Sequence, residues 1–398
     1  MSTTTMIGAG SPSARTVRLG TRGSALAIAQ STQVARAIVA ASRRIGADLQ
    51  VELVQIRTRG DVDATPLTRL GGIGVFAAAL RKALLEGSCD LAVHSCKDLP
   101  TVPVAGLRIA AFPAREDPRD ALCAAGGVGL AALPRRARVG TGSPRRAAQL
   151  LAARPDLEIV GVRGNVPTRL SRVVGAVVGA DGPLGAVREP DLDAVVLALA
   201  GLRRLGLDGY ATQVLALPGE GGAGTSPEPG PRASAPVMVP APAQGALALE
   251  TRADAGAGAD PDPGGVAPGV EPLVGGPARD PGLAAALAAA LVELDDAPTR
   301  AAVTAERALM RALEAGCAAP VGAVAVPATL ADGSAGLRLD GAVAAVDGSR
   351  MLRESAIGAR ADAAALGKAV ATALLDAGAA DLVDLRAAPP GRGRREAP

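Results

Sequence analysis

The sequence predicts an α/β protein, two similar α/β domains followed by a small C-terminal α+β domain. Three observations carry this. Short β-like runs alternate with helix-patterned segments from Val17 to His94. The same alternation resumes after Pro118. Beyond Thr299 one long helical pattern precedes three β-like runs and a final alanine-rich helix.

In the first domain VRLG reads as a strand and SALAIAQSTQVARAIVAASRR as a helix capped by Ser24. VELVQI follows as a strand, VFAAALRKALLEG as a helix and DLAVHS as a strand. In the second domain RVGTGS ends a strand, Pro144 starts the helix PRRAAQLLAARP, LEIVGVRGN is a strand with its loop, and DAVVLALAGL leads to the basic turn RRLG. The third domain holds the helix TRAAVTAERALMRALEAG, the β-like runs VGAVAV, GLRLDGAVAAV and RESAIGAR, and a helix from Asp362 to Leu375. Pro/Gly-rich stretches at 218–236 and 253–282 read as flexible insertions, and 1–14 and 387–398 as disordered tails.

Composition narrows the function. With 48% hydrophobic residues the 398-residue chain has material for several cores, while 1% aromatics and no Trp argue against a base-stacking surface and hence against nucleic acid as a partner. A net charge of +3 is too small to imply a polyanion. Lysine occurs only at Lys82, Lys97 and Lys368, so nearly every cation is an arginine, whose planar fork matters where several converge. Cys89, Cys96, Cys123 and Cys317 have no zinc-site spacing and His94 is the only histidine, so no metal is expected. The longest apolar run, near 283–292, is too short for a membrane, and the N-terminal stretch lacks a signal-peptide pattern. A cytoplasmic monomer with reduced thiols and no obligate protein partner is the expectation.

Ligands of open α/β sheets bind beyond the carboxyl ends of strands, where helix N-termini offer N–H groups to anions. Those junctions read LGTRGS (Arg22, Ser24), IRTRGD (Arg57, Thr58, Arg59, Asp61), VHSCKDLP (Ser95, Lys97, Asp98), GTGSPRR (Thr141, Ser143, Arg145, Arg146) and VRGNVPTR (Arg163, Asn165, Arg169). Each pairs a cation with a hydroxyl or amide, the equipment for charge-assisted hydrogen bonds to carboxylates or phosphates. An anionic ligand in an interdomain cleft follows. Asp98 stands among these cations and reads either as a turn or cap residue or as a carboxylate aimed at a cation that develops during reaction. His94 reads as fixing a local hairpin or loop. The Arg59-Gly60-Asp61 tripeptide is discounted as chance, and GGIGVF, Gly71 to Phe76, lacks phosphate-loop spacing and reads as a lid entering a helix. In LEAGCAAPVG, Cys317 follows a glycine that ends a helical pattern; the residues alone leave open an exposed thiol or a packed one.

The ordered set LGTRGSALAIAQ, IRTRGD, HSCKDLP, REDPRDAL, VGTGSPRR, VRGNVPTRL, LALAGLRRLGL, PAQGALALE and TAERALMRALEAGC with its APVG, from Leu19 to Gly322, closely resembles the porphobilinogen deaminase (hydroxymethylbilane synthase) family. The resemblance implies two periplasmic-binding-protein-like domains, the first discontinuous (15–115 and 244–292) with the second (116–239) inserted into it, and a third domain (297–386) carrying the cofactor cysteine. It implies a dipyrromethane joined to Cys317 through a thioether, and stepwise condensation of four porphobilinogen molecules onto it with loss of ammonia before water releases hydroxymethylbilane. Asp98 would be the catalytic residue, binding pyrrole N–H groups and steadying the azafulvenium cation. Lys97, Asp98, Ser143, Arg145, Arg146 and Arg169 would hold the cofactor, and Arg22, Ser24, Arg163 and Arg169 the substrate. Arg69 and Phe76 would belong to the lid, Gln244 and Gly245 to the hinge.

Three residues depart from the family pattern: Ile73 where a lid lysine is frequent, Gly142 where serine is usual, and Cys96 in place of methionine. Cys96 is thereby expected beside the active centre, where oxidation would inhibit. The alternative from another class, a solute-binding protein for organic anions, would share the cleft and the arginines but has no use for Cys317 in its full context.

Overall fold

The computed structural model describes residues 5–8, 13–56, 75–179, 182–220, 237–253, 280–316 and 318–386. The alternating pattern builds two mixed sheets, and in both the strands fall into the same order. In the first, β2 (Arg15–Thr21), β3 (Leu49–Gln55) and β4 (Leu91–Ser95) are parallel, in the order β3-β2-β4. β13 (Leu247–Arg252) then pairs antiparallel with β4, and β5 (Leu107–Ala111) antiparallel with β13. In the second, β8 (Glu158–Val160), β7 (Arg138–Gly140) and β11 (Ala194–Ala198) are the parallel set, followed by antiparallel β6 (Asp120–Ala124) and then β12 (Gln213–Val214). Each sheet thus holds one strand, β13 or β6, that the chain contributes just after passing from the other sheet. This is a two-lobed α/β architecture of two similarly ordered mixed sheets.

Helices cover the sheets because their apolar residues recur every third or fourth position. α1 (Ala25–Arg44) begins where Ser24 Oγ accepts from Ala27 N–H at 3.3 Å, and buries Val34, Ala35, Ile38 and Val39 against Val17, Leu19, Val51 and Leu53. α2 (Val75–Leu85) lays Leu80, Ala83 and Leu84 against Cys89, Ala92 and Leu107. In the second lobe α3 (Pro144–Ala153) has Ser143 as its cap and proline in its first turn, α4 (Val166–Val174) is capped by Asn165, and α5 (Leu199–Arg204) follows β11 directly. A short hairpin, β9 (Val178–Gly179) and β10 (Gly182–Pro183), leaves α4.

Beyond the lobes α6 (Pro281–Leu294) returns to the first core through Leu287, Ala290 and Leu291. The third unit is an antiparallel meander, β14 (Val321–Thr329), β15 (Ala335–Ala344) and β16 (Met351–Ala359), packed under α7 (Ala297–Ala312) and α8 (Ala363–Asp376), with α9 (Ala379–Leu382) at its end. It touches both lobes. Its β15–β16 turn presses on α3, so that a Cβ at Gly348 would lie 2.6 Å from Ala152 N.

Three sequence expectations change. Thr5–Ile7, assigned to a disordered tail, form β1, pairing antiparallel with β3 at the otherwise open sheet edge. Asp280 caps α6 through Gly282 N–H, so 280–282 are the start of a helix and not the end of an insertion. His94, expected to fix a hairpin or loop, instead faces a strand partner: β4 places it opposite Ala248, buried, with Nε2 3.0 Å from a Glu250 oxygen that Arg81 also approaches.

Candidate functional site

β4 runs into a single 3₁₀ turn, Cys96–Asp98, closed by Leu99 N–H donating to Cys96 O. The turn sorts its three side chains. Cys96 goes inward against Ala77, Leu99, Phe112 and Val303, and Lys97 and Asp98 are left exposed. Burial pushes the Cys96 thiol up, with Arg307 and Arg115 pulling against it, so it is a sealed core residue. The expected oxidisable thiol at the centre is corrected accordingly.

Lys97 stands among charges of both signs. Although its surface is open, desolvation by the protein around its ammonium is the largest influence; with Arg146 and Arg145 it lowers the pKa to about 8, against the pull of Asp98 and Asp120. Its Nζ lies 3.4 Å from Gln244 Oε1. Asp98 makes no side-chain hydrogen bond or ion pair among the described residues, although Lys97 and Arg169 both feel its charge. It is a carboxylate surrounded by cations and bound to none.

Asp120 is the opposite case. It opens β6, is 1% exposed, and receives Arg145 Nη1 at 2.8 Å, Arg146 Nε at 3.0 Å and Nη2 at 2.7 Å, and Gln244 Nε2 at 2.9 Å. Burial would raise its pKa, but the two guanidinium groups drive it far below the usual carboxylate range. Arg145 also donates to Val239 O, and Arg146 to Val196 O. The pair therefore forms a cationic floor tied down by one acid, and Arg145 Nε remains a buried donor with no acceptor among the described residues. Sequence reading passed over Asp120; the signal available was the imbalance itself, five cationic junctions and two named acids, Asp61 and Asp98.

Arg169 is drawn back by its Nε–H bond to Gly164 O, and desolvation by burial, then Arg146, and Arg163 lower its pKa while Asp98 opposes them. Arg163 is exposed beside it. Ser143 caps α3 by accepting from Arg146 N–H at 3.5 Å, and a Cβ at Gly142 would come within 2.6 Å of Val162 O, which accounts for glycine at that departure. Arg22 and Ser24 sit at the N-terminus of α1 in the other lobe. Gly201 of α5 lies close to Leu26 and to Val166, so the starts of α1 and α4 approach one another across the lobes.

The two passages of chain between lobes cross at the back of this site. Gly245 has φ +89°, and a Cβ there would stand 2.2 Å from Glu116 O, so only glycine fits. Gln244 is fully buried, donating to Pro118 O and Asp120. Arg115 donates to Gln244 O and, bidentately, to the buried carboxylate of Glu306 on α7, which also accepts from Ala243 and Ala325 N–H. Arg204 at the end of α5, missed in the sequence, donates to Gly245 O and keeps a buried Nε without an acceptor among the described residues.

Arg57 to Asp61, Arg69, Ile73 and Cys317 lie outside the described residues, and Phe76 is placed only as backbone of α2. Among the described residues no group of metal-ligating side chains gathers, and no helix is long and apolar enough to cross a membrane. The geometry can grip an acidic ligand from two lobes while presenting Asp98, a carboxylate without a partner among the described residues.

The family model for porphobilinogen deaminase, dipyromethane cofactor binding domain, matches residues 17–258, and that for the porphobilinogen deaminase C-terminal domain matches 300–376. Similar relatives include porphobilinogen deaminases from Micrococcus luteus, 50% identical over 85% of this chain and 81% of its own, and from Cutibacterium acnes, 48% identical over 93% and 98%. Porphobilinogen deaminase 1 from Streptomyces coelicolor is 45% identical over 94% of this chain and 99% of its own.

Proposed function

This chain belongs to the porphobilinogen deaminase family, and from that premise we propose how its cleft works. The activity is the deaminating condensation of porphobilinogen in tetrapyrrole synthesis, on a dipyrromethane cofactor. The residues present suit such a group: its pyrroles carry acidic arms and N–H donors, and the site offers cations, the unsatisfied Arg145 Nε and one uncommitted acceptor, Asp98. When bound, the dipyrromethane supplies the nucleophilic pyrrole carbon that extends the chain.

In this reading Arg22, Ser24 and Arg163 hold carboxylates of the incoming porphobilinogen, Arg169 and Lys97 serve both ligands, and Ser143, Arg145 and Arg146 form the floor under the cofactor. Asp120 fixes that floor by binding both guanidinium groups, while Arg145 Nε stays buried without an acceptor among the described residues. Asp98 meets pyrrole N–H groups and steadies positive charge as ammonia leaves. That it has no hydrogen-bond or ion-pair partner among the described residues is the observation that carries the assignment, since a carboxylate without a competing bond is the form that stabilises a transient cation. Cys317 is the anchor, Arg69 and Phe76 belong to a lid, and Gln244 and Gly245 form the hinge between a discontinuous first domain and the inserted second. The enzyme works as a cytoplasmic monomer.

Asp98→Asn tests the reading. It keeps the shape and removes the charge, so kcat falls by about 10²–10³-fold with an unchanged circular dichroism spectrum. A kcat within about threefold of wild type removes Asp98 from the chemistry.

A further inference from the structure

The turn bearing Lys97 and Asp98 is held from behind by the third unit. Arg307 of α7 donates through Nη1 to Leu99 O at 3.0 Å and through Nη2 to Pro100 O at 2.8 Å. One helical turn on, Arg311 Nη2 donates to Thr101 O at 3.2 Å. Three successive carbonyls leaving the 3₁₀ turn, which have no ladder or helix partner of their own, are thus capped by two cations on a single helix face. Arg307 is 6% exposed, so its two bonds to the turn are shielded from water. No hydrogen bond or ion pair to a carboxylate is present for either arginine among the described residues.

We infer that Arg307, assisted by Arg311, is a positioning residue for Asp98: it fixes the catalytic turn to α7, the helix whose sequence continues into the Cys317 loop. The inference rests on the assignment of Asp98 and Cys317 above. The helix then sets where the carboxylate stands at the end of β4. Errors of about 1 Å in the placement of such a group cost about 10²-fold in rate without any change in the reacting groups.

The test uses the full-length holoenzyme. Covalent loading is read by intact mass, and kcat and KM are expressed per loaded molecule. Arg307→Met keeps the length and removes all donors; kcat per loaded molecule falls about 10–100-fold while loading and KM stay within about twofold. Arg307→Lys keeps a cation with a single-point grip and folds most readily; it recovers part of the loss but stays about three- to tenfold below wild type. Wild-type kcat per loaded molecule in Arg307→Lys together with Arg311→Met overturns the inference, as does a loss that appears only as a smaller loaded fraction. If wild-type protein carries no covalent group on Cys317, the underlying reading fails instead, and the two failures are told apart by the wild-type mass.

Discussion

Replacing Asp120 by asparagine probes the junction on which the cleft floor is built. Asp120 accepts three bonds from Arg145 and Arg146 and one from Gln244, all between 2.7 and 3.0 Å, with its side chain wholly buried. Counting each charge-assisted bond separately at about 1.5–3 kcal/mol would give a total larger than the stability of many domains. The relevant quantity is smaller, because the guanidinium groups keep their bonds to Val239 O and Val196 O and relax towards water. Removing one member of a buried ion network costs about 3–5 kcal/mol. With a urea dependence of about 2 kcal/mol per molar, that loss moves the unfolding midpoint of the second lobe down by about 1.5–2.5 M.

The assay is urea unfolding followed by far-ultraviolet circular dichroism, in Asp120→Asn, Arg145→Met and the double variant. The double variant is expected to be more stable than the sum of the singles, since Arg145→Met removes one of the two uncompensated charges. Strict additivity, or a shift in Asp120→Asn below about 0.3 M, refutes the reasoning. The pH dependence has a fixed sign. The folded-state pKa of Asp120 lies below its unfolded value, so its stabilisation is present above about pH 4 and is lost as pH falls through the folded value. Asp120→Asn therefore loses part of the acid sensitivity of the wild type.

Other outcomes follow from neighbouring residues. Lys97, lowered to about 8, sheds its proton as pH rises through that value, so KM for porphobilinogen climbs above pH 8 and Lys97→Arg flattens that limb; an unchanged limb contradicts the placement of Lys97 against a carboxylate. Gly245→Ala, with its Cβ 2.2 Å from Glu116 O, lowers stability by more than about 3 kcal/mol, whereas Gly126→Ala, at φ +69° with nothing within 4 Å, costs about 1 kcal/mol; equal melting temperatures would show that the crossing is not tight. Raising salt from 0.05 to 0.5 M weakens porphobilinogen binding severalfold without lowering kcat, as expected where guanidinium groups grip exposed carboxylates.

The elements legible in the sequence are those whose signals are local. Ser24 and Pro144 mark helix starts at the places the structure shows, the helix capped by Asn165 was not read as one, and the apolar spacing of α1 and α7 gives their buried faces. The return strands β6 and β13 were not legible as strands of a particular sheet, because their neighbours come from the opposite half of the crossing chain. The same separation hid Asp120 and Glu306. Glu306 meets Arg115 across 191 positions, and a buried acid in a helix looks like any solvated glutamate until that partner is in place. Arg145 and Arg146 were recognised as cations at a strand end, but how much of each guanidinium is already bound to Asp120 depends on packing that no spacing records. His94 was expected to fix a hairpin or loop because its partner Glu250 arrives on β13, far along the chain.

The central claim is that this chain holds its own primer through one sulfur. The intact mass of freshly purified protein, followed by peptide mapping, addresses it directly. The account predicts a mass above that of the sequence by one dipyrromethane, located on the peptide containing Cys317 and absent from Cys317→Ala. A chain at its bare sequence mass after exposure to porphobilinogen, or an adduct on Cys89, Cys96 or Cys123, would contradict it.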